Sequence, residues 1–269
     1  MNSLNSAPTV GEHTTAITRD ADGQWQALHD DQVVATGTSW QRLDGRHFVS
    51  IDTWHDDAFD QLAQAMLAEL PKPLHTLVDE TDTEQTARWH RLGFTTTRRE
   101  HHYLIPTDPD TTGLDPAALP TGLTILPAGT ADPALLRELD RTIRHEVETT
   151  LGWHTMPAEI LPRPHNTPDP TQYATPAKHA VATRDGHYIG LVRVTGHPRL
   201  PRIGLLAVRT DHQRQGTARA LLTHALHTLH QAGTPTASTE ITDTNHPATT
   251  LLTTIGAQHH NTTLELSLH

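Results

Sequence analysis

Residues 203–229 begin with an apolar run, continue with polar residues and end with apolar residues at helical spacing. This order predicts a strand, a loop and a helix. Ile203–Val208 is a short apolar run bounded by polar residues, as is typical of a fully buried strand. In the predicted helix, apolar residues recur at helical spacing and form one stripe, made of Ala218, Leu221, Leu222, Ala225, Leu226 and Leu229. Ala232 and Gly233 follow as the predicted end of that helix.

The loop between this strand and this helix reads Gln213-Arg214-Gln215-Gly216-Thr217-Ala218. Gly216 allows the backbone to approach a ligand closely, and the unpaired amides at a helix start favour an anion such as phosphate. No Gly-Lys-Ser/Thr follows, which excludes a Walker loop, and a single glycine excludes the dinucleotide fingerprint. The loop therefore predicts a pyrophosphate site of another kind.

Similar patterns predict the neighbouring elements. Ala180–Val194 favours a β-hairpin that turns at Asp185-Gly186. A strand is predicted over Pro235–Thr242, and a last strand ends in Leu264–Leu268. Upstream, residues 123–126 predict a strand, and a helix is expected from Asp132 to about Glu148.

The loop and the residues after it resemble the Gcn5-related N-acetyltransferase (GNAT) superfamily. Gln213, Gly216 and Ala218 fit its Gln/Arg-x-x-Gly-x-Gly/Ala signature. Further on, Asn245, Ala248, Leu251 and Gly256 fit the family's Asn-x-x-Ala-x-x-Leu-Tyr-x-x-x-Gly-Phe. Two positions depart from it, because Leu252 replaces the usual tyrosine and Ala257 the usual phenylalanine. The resemblance implies an α+β fold and acetyl-coenzyme A (acetyl-CoA) as co-substrate.

The first half of the chain repeats this pattern in degraded form. A predicted strand, Leu74–Asp79, is followed by Asp82-x-x-Gln85-x-x-Arg88-Trp89-x-x-x-Gly93-Phe94, in which Trp89 takes the tyrosine position. After an earlier strand, Phe48–Trp54, the segment His55–Asp60 contains three aspartates and no glycine. Carboxylates repel a pyrophosphate. The first half is therefore not expected to bind coenzyme A.

These patterns predict two GNAT-like domains, each a mostly antiparallel twisted sheet flanked by helices. The first, degenerate domain spans residues 1–106, and a linker rich in Pro, Asp, Thr and Gly spans 107–120. The acyl-CoA-binding catalytic domain spans 121–269. Such a tandem arrangement resembles other acetyltransferases of the superfamily, in which a dead copy walls the substrate cleft or imitates a dimer partner.

The amino-acid composition limits which classes of binding partner and chemical site are possible. The formal net charge of -11, from 20 Lys+Arg and 31 Asp+Glu, argues against nucleic acid as the main partner and suits a cationic amine. The absence of cysteine excludes disulfides, thiolate metal sites and a cysteine nucleophile. No membrane-spanning stretch and no signal or transit peptide is evident, so a cytoplasmic monomer or homodimer is expected.

The resemblance also assigns candidate site residues. Glu240, five residues before Asn245, is the candidate general base, and the alternative is a surface carboxylate at a strand end. A backbone amide near Ala207 or Val208 is the candidate oxyanion donor. The candidate cofactor-binding set is Leu206, Ala207, Val208, Gln213, Arg214, Gln215, Gly216, Thr217, Ala218, Arg219 and Asn245. As an alternative role, Asn245 is a favoured helix cap in any protein.

Leu252 raises a question about the leaving group, because leucine cannot protonate a thiolate. His246 is a substitute acid or, alternatively, a helix-start residue that faces water. Glu146 and Trp153 are candidate substrate-binding residues, since a carboxylate beside an aromatic ring suits a cationic amine. Trp153 equally fits a core position.

The chain contains 22 histidines, of which His224, His227 and His230 recur every third residue on the predicted helix. No His-Glu-x-x-His pair occurs. We therefore interpret these three as a solvated helix face, and no metal site is predicted.

The leading functional hypothesis is transfer of an acetyl group to a primary amine of a small molecule, such as an amine-bearing antibiotic or a biosynthetic intermediate. A protein or peptide N-terminus is the alternative acceptor. From another class, a non-catalytic coenzyme A sensor would explain the missing tyrosine.

Overall fold

The computed structural model describes residues 15–20, 24–42, 45–149 and 178–269. Within these ranges the chain forms one 12-stranded, mostly antiparallel sheet flanked by helices. The predicted α+β fold class is therefore confirmed. No helix in the described ranges is long and apolar enough to cross a bilayer.

The first half contains six strands and two long helices, and a short helix follows. Its strands are β1 (Ala16–Arg19), β2 (Trp25–His29), β3 (Gln32–Gln41), β4 (His47–Thr53), β5 (Leu74–Asp79) and β6 (Thr95–Pro106). Its helices are α1 (Asp56–Glu69) and α2 (Thr83–Arg91), followed by α3 (Pro109–Thr112) in the predicted linker.

The second half contains the remaining six strands and three helices. The strands are β7 (Leu123–Leu126), β8 (His179–Arg184), β9 (His187–His197), β10 (Leu200–Val208), β11 (Thr236–Thr242) and β12 (Gln258–Leu268). The helices are α4 (Pro133–Thr149), α5 (Thr217–Gln231) and α6 (His246–Thr254). The predicted hairpin is present as β8 and β9, with Asp185 and Gly186 at positive φ in its turn.

The two halves exchange their last strands. The order along the sheet is β1-β2-β3-β4-β5-β12-β6-β11-β10-β9-β8-β7. Strand β6 of the first half pairs with β11 of the second, and β12 of the second half pairs with β5 of the first. Each half of the sheet is thus completed by the other half of the chain. The sequence boundary at 107–120 separates two chain segments, whereas the sheet runs continuously across both.

The order of elements repeats between the halves. In the first, β4 and β5 are parallel and joined by α1, after which α2 leads to β6. In the second, β10 and β11 are parallel and joined by α5, after which α6 leads to β12. Both α2 and α6 begin with a side-chain cap. Asp82 Oδ1 accepts a hydrogen bond from the Gln85 amide at 2.9 Å, and Asn245 Oδ1 accepts one from the Ala248 amide at 3.3 Å.

Apolar faces of the helices form three core clusters. Helices α1 and α2 cover β2 to β5 and β12, where Trp89 packs edge-on against Phe59 and Phe94 at centroid distances of 5.2 and 4.8 Å. Helices α5 and α6 cover β6 and β8 to β11, and buried Leu114 from the linker joins that cluster. Helix α4 packs against β8, β9 and β10 in a third cluster. The tryptophan at the tyrosine position of the first half is therefore a core residue.

Candidate active site

The parallel strands β10 and β11 separate and leave a cleft between them. Arg202 and Ser238 are register partners, and the described residues beyond them on β10 pair only with β9. The register of β10 against β9 shifts between Ile203 and Leu205. At the narrow end, the Thr239 hydroxyl donates a hydrogen bond to the Ile203 carbonyl at 2.9 Å. One edge of β10 is thus left facing the cleft.

A pocket occupies this separation, and its walls are mostly apolar. They come from β10 and β11, from α5 and α6, and from Ile105 of the exchanged strand β6. Among the residues proposed from the sequence, the lining includes Leu206, Glu240, Asn245 and Leu252. The structure therefore brings the predicted base and part of the predicted cofactor set to one cleft.

The predicted pyrophosphate loop lies at the start of α5. Gly216 caps the helix with a φ of 81°, and no side chain caps it. A Cβ at this position would lie 3.1 Å from Pro120 Cγ, so both conformation and space favour glycine. The next residue, Thr217, has a buried hydroxyl with no hydrogen-bond partner among the described residues. The first-turn amides and this hydroxyl are suited to an anion.

Side chains around the loop hold its shape. Gln213 Nε2 donates to the Val208 carbonyl at 3.1 Å, and Gln215 Nε2 donates to the Asp211 carbonyl at 3.2 Å. Arg184 of β8 donates to the Gln215 side chain. The two glutamines thus fix the turn, while Arg214 and Arg219 are exposed beside it.

Glu146 of α4 contacts this same region. Its Oε2 accepts hydrogen bonds from the Thr210 amide at 2.7 Å and from the Thr210 hydroxyl at 2.9 Å. Its Oε1 lies 3.6 Å from Nε of Arg209. The carboxylate therefore braces the turn before the loop, and its role in substrate binding stays a prediction. Trp153 lies outside the described residues.

Glu240 lies on β11 between two basic side chains. It forms an ion pair with Arg202 of β10, and its Oε1 lies 3.6 Å from Nδ1 of His102. Its side chain is 27% exposed and that of His102 is 29% exposed, so both reach solvent. Sequence reasoning missed Arg202 and His102, because only the strand pairing places them next to Glu240.

Two residues at the α6 end of the cleft bear on the leaving group. Leu252 is buried in the same core as α5 and lines the pocket, so the tyrosine position offers no hydroxyl. His246 is the first residue of α6 and is exposed. The Asn245 side chain caps α6, as described above, and also borders the pocket.

The corresponding part of the first half has the strand separation without the loop. The parallel register of β4 and β5 is limited to His47 with Leu74 and Phe48 with His75. After β4 the chain enters α1 almost at once, with His55 at the N-cap and no side-chain cap. No glycine or extra turn precedes this helix, whereas both precede α5.

No group of three or more His, Asp or Glu residues in the described ranges is arranged to hold a metal ion. His224 and His227 are close neighbours on α5. Burial, and then the nearby His227, lower the pKa of the His224 imidazole.

Comparisons with known proteins agree with this fold. Residues 147–256 match the family model described as "Acetyltransferase (GNAT) family". A GCN5-related N-acetyltransferase from Sphaerobacter thermophilus superposes with a TM-score of 0.65 at 13% identity, over 91% of this chain and 80% of that one. A tandem GNAT protein from the clavulanic acid biosynthesis pathway gives 0.61 at 16% identity, over 94% and 83%. A GNAT-family acetyltransferase from Colwellia psychrerythraea gives 0.58 at 12% identity, over 92% and 85%. No protein of curated function matches the chain.

Proposed function

Because this chain belongs to the GNAT superfamily of acetyltransferases, we propose that it transfers an acetyl group from acetyl-CoA to a primary amine of a small molecule. The observation that carries the proposal is the loop at Gly216. It presents an uncapped helix start, a glycine at positive φ and a buried hydroxyl with no hydrogen-bond partner among the described residues, and the helix that begins there contributes Leu222 to the apolar cleft. This arrangement suits a pyrophosphate with a narrow organic arm attached.

In the proposed complex, the pyrophosphate lies on the amides of the first turn of α5. Arg214 and Arg219 are exposed beside the loop and pair with phosphate oxygens. The pantetheine arm follows the cleft between β10 and β11, past Asn245. The thioester carbonyl accepts a hydrogen bond from the free edge of β10, near Ala207 or Val208.

The proposed chemistry is direct attack by the amine. A cationic amine first loses one proton to water, and its neutral nitrogen then bonds to the carbonyl carbon, the C–S bond breaks, and the electron pair of that bond leaves on sulfur. Glu240 accepts the proton that the nitrogen loses. The thiolate takes a proton from solvent, which is tolerable without an acid at Leu252 because a free thiol has a pKa of about 8.5.

A small cationic amine is the proposed acceptor. The formal net charge of -11 favours cations over anions at long range. The tandem GNAT protein from the clavulanic acid biosynthesis pathway covers nearly the whole of this chain. By analogy with that pathway, the acceptor proposed here is a biosynthetic intermediate or an amine-bearing antibiotic.

A non-catalytic coenzyme A sensor is the second candidate function, and one observation favours it. Leu252 is buried in the core at the position of the usual tyrosine, so no hydroxyl is available there to protonate the leaving sulfur. The pyrophosphate loop is compatible with either function.

Thiol release from acetyl-CoA, measured with full-length protein and a panel of amines, tests the proposal. Small primary amines should release coenzyme A in proportion to the N-acetyl product. Turnover of peptide N-termini alone would favour the alternative acceptor. Tight binding of acetyl-CoA without release for any amine or peptide would favour the sensor and contradict the proposed transfer.

A further inference from the structure

The strand exchange places a side chain of the first half beside the candidate base of the second. His102 on β6 is the register partner of Glu240 on β11, so both side chains project from the same face of the sheet. The distance from His102 Nδ1 to Glu240 Oε1 is 3.6 Å. The other ring nitrogen, Nε2, lies 2.8 Å from the hydroxyl of Thr263 on β12.

These contacts divide the two oxygens of Glu240 between different neighbours. Arg202 holds Oε2, and Oε1 faces the imidazole. A separation of 3.6 Å is longer than a hydrogen bond. When the ring proton resides on Nε2 and is donated to the Thr263 hydroxyl, Nδ1 is left with a lone pair that can accept a proton from Oε1.

We propose that His102 acts through Glu240 as the second member of a carboxylate–imidazole pair that carries the proton away from the reacting amine. The attacking nitrogen gives its proton to Glu240 Oε1, which then becomes a hydrogen-bond donor toward Nδ1 of His102. The 3.6 Å gap shortens to hydrogen-bond distance, and the proton passes to Nδ1. The imidazolium then releases a proton to solvent, since His102 is partly exposed. The carboxylate returns to its ionised state for the next turnover.

Other charged groups also face His102. Arg202 lies beyond Glu240, and Glu100 with Arg98 shares the same face of β6. Asp79 of β5 lies on the side of His102 that is opposite to Glu240. Hydrogen bonds from Thr81 chiefly lower the pKa of the Asp79 carboxyl, and the charge of His102 contributes to the same shift. The imidazole thus lies among charged side chains of β5, β6, β10 and β11, with Glu240 as its register partner.

This inference rests on the proposed transfer, and it gives the first half a part in the chemistry. The first half lacks the pyrophosphate loop, yet its last strand supplies the neighbour of Glu240. The catalytic arrangement is incomplete without β6. Removal of the first half would take away both this strand and the imidazole.

The test compares His102→Gln with His101→Gln in the full-length protein. His101 is a matched control, because it adjoins His102, projects from the opposite face and bonds the Thr262 hydroxyl through Nδ1 at 2.9 Å. With an amine that the wild type acetylates, His102→Gln should lower kcat by about 10²-fold at pH 7. Its KM for acetyl-CoA should match that of the control. The pH profile of its kcat should also differ from that of the control.

A second variant covers the case in which His102→Gln does not fold. Thr263→Val keeps the imidazole but removes its hydroxyl partner, and it should lower kcat by roughly tenfold with an unchanged KM for acetyl-CoA. If the folded variants keep the wild-type kcat and pH profile, the inference is overturned while acetyl transfer stands. If the wild type releases no thiol with any amine or peptide, the proposed function falls and the inference falls with it.

Discussion

Arg202 of β10 and Ser238 of β11 are register partners in a parallel pair, and beyond them the two strands diverge. The divergence leaves a backbone edge of β10 facing a cleft that Glu240 also borders. The first half has a similar divergence after Phe48 and His75. The two strand separations differ at the start of the following helix, where only the second half has a glycine loop. That difference makes the second half the proposed site of acetyl-CoA.

Gly216→Glu should abolish acetyl-CoA binding, because it places bulk and negative charge in the proposed pyrophosphate loop. The affinity should fall by more than about 100-fold, measured by calorimetric titration. Gly233→Glu is the matched control. It introduces the same charge at the other end of α5, at a φ of 78° and in open space. Both variants should lose about 1–3 kcal/mol of stability from backbone strain. Equal affinities in the two variants would argue against the loop as the site.

Glu240→Gln should lower kcat by roughly 10²-fold to 10⁴-fold, with little change in acetyl-CoA affinity. Glutamine keeps the size of the side chain and an oxygen that accepts from Arg202, but it removes the proposed base. Glu138→Gln on the exposed surface of α4 is the control and should keep full activity. Full activity of Glu240→Gln at pH 7 would remove Glu240 as the base.

The exchange of β6 and β12 should keep the two halves together after the linker is cut. A protease site introduced within the exposed residues 115–119 would sever the chain between α3 and β7. Because β6 lies between β11 and β12, the two fragments should co-elute in native size-exclusion chromatography and separate only in denaturant. Separation of folded fragments without denaturant would contradict the exchange.

Glu265→Gln should destabilise the protein strongly. The carboxylate is 2% exposed and lies 3.3 Å from Arg42, with Arg46 also bound to it. Removal of one partner from a buried ion pair costs about 3 kcal/mol or more in free energy of unfolding. Glu69→Gln, which breaks the exposed pair with Arg19, should cost less than about 1 kcal/mol. Urea unfolding of both variants measures the difference, and equal losses would contradict the buried role of Glu265.

His224 should make the folded state less stable in mild acid. Burial lowers its pKa below the ordinary value of 6.5, so the unfolded chain takes up protons that the folded chain does not. Its contribution is therefore fully present above pH 6.5 and is lost as the pH falls. His224→Gln should reduce the drop in unfolding free energy between pH 7 and pH 5. An unchanged drop would contradict this assignment.

The sequence predicted several local elements of both halves closely. The periodic stripe placed the helix at residues 218–229, and α5 spans Thr217–Gln231. The turn at Asp185-Gly186 and the strand Leu74–Asp79 were also predicted correctly. These features depend on residues that are close in sequence, and the periodicity and turn residues of the sequence predict them directly.

The strand exchange was not predictable from the same patterns. Pairing of β6 with β11 joins distant parts of the chain, and alternation along a strand says which face is buried but not which strand lies alongside. For the same reason, sequence reasoning found Glu240 but neither Arg202 nor His102. The sequence around a charged or imidazole side chain on a strand does not indicate which residue lies beside it on the adjacent strand.

Calorimetric titration of the full-length protein with acetyl-CoA tests the central claim most directly. One binding site per chain, lost in Gly216→Glu and kept in Gly233→Glu, is the result expected for a site at the start of α5. Two sites per chain, or no binding at millimolar acetyl-CoA, would contradict that assignment.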